Sequence, residues 1–72
     1  MTDNVYAITE LVGSSTQSIE DAIKNALDTA SKTLRNLDWF EVTDTRGHIN
    51  NGKIEYFQVT VKLGFRYERA AA

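Results

Sequence analysis

At 72 residues the chain allows one domain, and without a cysteine neither a disulfide framework nor a Cys-based zinc site can reinforce a core that buries only about 60% of the unfolded surface. A formal net charge of −2, with lysines and arginines scattered singly, argues against a nucleic-acid partner. No apolar run approaches the roughly 20 residues of a membrane span, and the N-terminal MTDNVYAITE lacks the pattern of a secretory signal, so the expected compartment is the cytoplasm. Oligomerisation is the remaining route to a stable fold.

Residues Val5 to Gly13 mix apolar and polar positions and run into Gly13-Ser14-Ser15, which predicts a first strand and its exit turn. Ile19, Ala22, Ile23, Ala26, Leu27, Ala30, Leu34 and Leu37 then recur at helical spacing, predicting an amphipathic helix of about 18 residues. Ser18 with Asp21 three positions on reads as its N-cap, and Lys32 and Arg35 suit its C-terminal dipole. The small Ala22, Ala26 and Ala30 allow a close approach to a sheet.

Trp39 to Ile49 and Ile54 to Tyr67 flank Asn51-Gly52, the preferred pair of a two-residue type I′ hairpin. Uninterrupted pairing from that turn sets Ile49/Ile54, Gly47/Tyr56, Thr45/Gln58, Thr43/Thr60, Glu41/Lys62 and Trp39/Gly64 on one open face. Phe40/Leu63, Val42/Val61, Asp44/Val59, Arg46/Phe57 and His48/Glu55 then lie beneath the helix. Asp44 against Val59 is a misfit, and a bulge between Thr43 and Gly47 is its expected cause. The whole reads as an α+β domain over residues 1–72: a three-stranded antiparallel sheet with one helix on one face, in the order β-α-β-β. Its core runs from Val5 to Glu68, and 69–72 form a tail that reads as a cloning remnant or a frayed end. Hairpin strands of about 35 to 45 Å overhang a helix of about 27 Å, so the open face is expected to pack against copies of the same chain.

Trp39, the single tryptophan, has two readings: it seals a subunit interface, or it is a stacking platform for a flat aromatic ligand. Gln58, on the same face, offers an amide to a heterocycle edge but lies about 20 Å away along the strand, so a site using both residues must be shared between chains. Arg46 suits a phosphate or carboxylate, with a surface salt bridge as the alternative. His48 has no second His, Cys or Ser beside it and makes neither a metal site nor a triad; it reads as a solvated or interface imidazole. No paired carboxylates, phosphate loop or activated nucleophile supports catalysis.

Taken in order, the Gly13 turn, SIEDAI from Ser18, SKTLRNLDWFEV from Ser31, RGHI from Arg46 and QVTVKLGFR from Gln58 resemble the dodecins over Val5 to Glu68. That resemblance implies a hollow homododecamer that binds flavins in pairs on two-fold axes, without turnover. It also implies that Trp39 stacks on the flavin ring and Gln58 hydrogen-bonds it, while Arg46 and His48 lie beside it. In bacterial members of the family FMN is the usual ligand, with riboflavin and FAD as alternatives, and some also bind coenzyme A. The expected function is flavin storage, buffering and photoprotection, and the rival is a ligand-free structural oligomer in which Trp39 only seals an interface.

Overall fold

Strand β1 (Tyr6–Ser15), helix α1 (Ile19–Ala30), strand β2 (Leu37–Asn50) and strand β3 (Lys53–Arg66) make up the computed structural model, which describes residues 3–68. The strands form one antiparallel sheet in the order β1-β3-β2, so the last strand in sequence is the middle one in space. The expected β-α-β-β architecture is present; the tail at 69–72 lies outside the described residues.

The helix begins where expected. Ser18 is extended, and its hydroxyl accepts the backbone N–H of Asp21 at 2.9 Å, satisfying one of the amides that a first turn leaves without a partner. Asp21 does not reach back to Ser18. It accepts the hydroxyl of Ser15 at 2.7 Å, and that same Ser15 oxygen accepts the N–H of Gln17 at 2.9 Å. Gly13, Ser14 and Ser15 are therefore not an exit turn but the last rungs of β1, opposite Val59, Gln58 and Phe57.

The helix ends earlier than its apolar period suggests. Ser31 caps it, the N–H groups of Lys32 and Thr33 bond three residues back to Thr29 and Ala30, and Asn36 turns the chain at φ 63°. Leu34 and Leu37 continue the stripe only in position: both pack on the core from the return segment and the start of β2. No basic residue stands in the last helical turn, and Arg35 instead reaches Glu68 at 3.2 Å.

The core is a thin seam. Ala22, Ala26 and Ala30 press on Val59, Val61 and Leu63, all six buried, with Leu11, Ile23 and Leu27 at the edges. Methyl side chains bring the helix close, and Gly13 brings it closer: a Cβ there would overlap the carbonyl oxygen of Ala22. The helix thus lies over β1 and β3 and leaves β2 uncovered, so Phe40 and Val42, on the helix side of the sheet, stay 47% and 40% exposed.

The hairpin turn is as read, with Asn51 at φ 53° and Gly52 at φ 74°, and Asn50↔Lys53 and Ile49↔Ile54 are its first rungs. The register beyond them differs from uninterrupted pairing. It shifts between His48 and Ile49, where Glu55 is the extra residue on β3, and shifts back between Val42 and Asp44, where Thr43 is the extra residue on β2. The shifts cancel, so Trp39↔Gly64, Phe40↔Leu63, Glu41↔Lys62 and Val42↔Val61 stand as expected. Between them Thr45, Arg46, Gly47 and His48 pair with Val59, Gln58, Phe57 and Tyr56. Asp44 now faces Thr60 rather than Val59, which removes the misfit. Arg46 and His48 accordingly leave the helix side, where uninterrupted pairing had put them, for the open face.

Candidate functional site

The open face is the side of the sheet that the helix does not touch, and alternation along the strands decides who stands on it. From β3 it carries Tyr56, Gln58, Thr60, Lys62 and Gly64; from β2, Trp39, Glu41, Asp44, Arg46 and His48. Four residues expected to bind ligand, Trp39, Gln58, Arg46 and His48, therefore share one face.

Trp39 is placed by what lies beneath it. Its rung partner is Gly64, and a Cβ on Gly64 would overlap Cδ2, Cε2 and Cζ2 of the indole, so the ring lies down on the glycine backbone. Its other face points outward, and the residue is 42% exposed. Tyr6 of β1 meets the indole from across the sheet, edge to face, with ring centroids 5.1 Å apart and planes at 68°.

At the hairpin end Arg46 Nε donates to Gln58 Oε1 at 3.2 Å. A guanidinium can only donate, so this bond turns the Gln58 oxygen toward Arg46 and leaves the amide NH2 for an outside acceptor. Among the described residues Arg46 enters no ion pair, so its salt-bridge reading is not realised within one chain. His48 stacks on Tyr56, centroids 5.1 Å apart and planes within 7°, and its Nε2 lies 3.6 Å from Glu55 Oε1. No group of three or more His, Cys, Asp or Glu able to hold a metal occurs among the described residues.

Gln58 lies six residues along β3 from Gly64, about 20 Å. Trp39 and the Gln58 amide are therefore separated within one chain, as expected. Tyr6 was not foreseen as part of this face; Tyr56 was, and only its rung partner differs, His48 in place of Gly47. Pairing Glu10 with Lys62 as opposed charges was the available signal for the β1 register, and it is the register observed.

A family profile, that of the dodecins, matches residues 5–68. The chain belongs to the dodecin family. Its sequence is 50% identical over 64 residues to the dodecin of Thermus thermophilus, covering 89% of this chain and 93% of that one. Solved structures agree: the dodecin of Streptomyces coelicolor superposes with a TM-score of 0.91 at 48% identity, covering 97% of this chain and all of that chain. The dodecin of Streptomyces davaonensis gives 0.90 at 46% identity, covering 94% of this chain and all of that one. A calcium dodecin of Mycobacterium tuberculosis, only 20% identical, shares the fold with a TM-score of 0.78. As a dodecin, the chain is in broad terms a small flavin-binding protein.

Proposed function

We propose that this chain stores and buffers an FMN-type flavin and limits its photochemistry, holding flavins as stacked pairs between Trp39 residues of two-fold-related copies in a hollow homododecamer. One observation carries the reading: Trp39 lies flat on Gly64 with its outer face open, on the same face as the Arg46–Gln58 pair. An isoalloxazine ring fits such residues, since an apolar platform takes its face and the Gln58 NH2 a carbonyl or ring nitrogen on its edge. Arg46 supplies the cationic surroundings that suit the FMN phosphate, and His48 stands two rungs further along on the same face. Because platform and amide are about 20 Å apart in one chain, each flavin draws on two copies. A bound flavin supplies light absorption and an excited-state oxidant, and the electron-rich indole of Trp39 at stacking distance quenches it.

Fluorescence titration with FMN tests this directly. Stacking on an aromatic is worth about 1 to 3 kcal/mol per ring face, so Trp39→Ala should weaken FMN binding by roughly one to two orders of magnitude, and unchanged affinity would refute the platform role. A colourless wild-type oligomer that leaves added FMN fluorescence untouched would favour the purely structural rival. Mass spectrometry of ligands released from the purified protein identifies which of FMN, FAD, riboflavin or coenzyme A it carries.

A further inference from the structure

We infer that Tyr6 is a positioning residue for the ligand platform: it fixes the plane of the Trp39 indole in advance of binding. The inference rests on the stacking role proposed for Trp39, which it deepens by naming what holds the ring.

The indole spans all three strands. It is anchored on β2, lies across Gly64 on the central strand, and is stopped by Tyr6 on β1. Tyr6 pairs with Arg66 and Ile8 with Gly64, so the phenol stands one open-face position beyond the glycine, where it meets the far side of the indole. A Trp has two side-chain torsions. Contact with Gly64 limits how far the ring can sink, and the Tyr6 ring limits how far it can swing within the plane of the sheet. The outward face is what remains, and at 42% exposure the residue still presents it. A ring held still before the ligand arrives loses less freedom on binding, so affinity rises without any new contact to the ligand.

The protein's single tryptophan makes this measurable without ligand. Time-resolved fluorescence anisotropy of ligand-free protein should show Trp39 moving only with the whole particle in wild type and in Tyr6→Phe, which keeps the ring. In Tyr6→Ala a fast local component should appear, and flavin affinity should fall about two- to tenfold, the range of one edge-to-face aromatic pair. Size-exclusion chromatography with light scattering checks that the particle is unchanged; if Tyr6→Ala alters it, Tyr6→Leu, which keeps apolar bulk without a ring, takes its place. A Trp39 equally immobile without the Tyr6 ring would overturn the inference. Should the wild type bind no flavin, the storage reading fails, while the anisotropy still decides whether Tyr6 holds Trp39.

Discussion

At the scale of single residues, Gly64 governs the face more than its size suggests. Its Cβ position is occupied by the six-membered ring of Trp39, so Gly64→Ala must lift or tilt the indole. The obstacle is a side chain rather than backbone, and it can swing outward. The expected outcome is a folded protein of nearly native thermal stability that has lost most flavin affinity, and a thermal melt beside an FMN titration measures both. A melting temperature lowered as far as a core deletion would lower it contradicts that assignment. Trp39 and Gln58 were legible from sequence because the Asn51-Gly52 turn is a fixed origin from which rungs are counted, and the Glu41/Lys62 charges confirm the count near Trp39. The facing of Arg46 and His48 was legible only in part: the misfit of Asp44 against Val59 announced the bulge at Thr43, whereas the compensating bulge at Glu55 left no such sign.

At the scale of elements, the helix and sheet meet through absences of side chain. Ala22 and Ala26 on α1 and Gly13 on β1 set a short separation, and a Cβ at Gly13 would overlap the Ala22 carbonyl oxygen and stand 3.0 Å from Ala26 Cβ. Both obstacles belong to the helix backbone or its shortest side chain and cannot rotate away. Gly13→Ala should therefore push the helix off β1 and destabilise the fold by about 1 to 3 kcal/mol, read as a lowered denaturant midpoint; an unchanged midpoint would mean that the close approach is not retained in solution. The start of the helix was legible in Ser18, whose hydroxyl has a local job. Its end was hidden because the apolar period runs on through Leu34 and Leu37, which serve the same core from non-helical backbone. Tertiary packing keeps a stripe going after the hydrogen-bond pattern that produced it has stopped.

At the scale of the whole molecule, the chain is 59 Å long and 14 Å thin, and its helix, about 18 Å by length, shelters only part of the sheet. Phe40 and Val42 on one side and Ile8, Val12 and Trp39 on the other remain at least 40% exposed. Apolar exposure on both sides of one thin sheet is what a protomer carries when copies complete its core. Phe40→Lys places a charge on the side away from Trp39, where no ligand-facing residue is altered. It should nevertheless yield smaller species in analytical ultracentrifugation and weaken FMN binding with them, because each proposed site needs two copies. A wild-type-sized particle with intact affinity would contradict that coupling.

Two of the three register shifts in the hairpin, those at Thr43 and Glu55, have a consequence for how such a face changes over generations. Because Thr43 and Glu55 are single extra residues on opposite strands, their effects end where they began, and the turn and the Trp39/Gly64 rung are indifferent to them. Only the segment between them is inverted. Losing both bulges while keeping chain length would put Thr45 and Gly47 on the open face in place of Arg46 and His48, removing the guanidinium from it without moving Trp39. Ligand choice and scaffold are thus separately heritable within one hairpin.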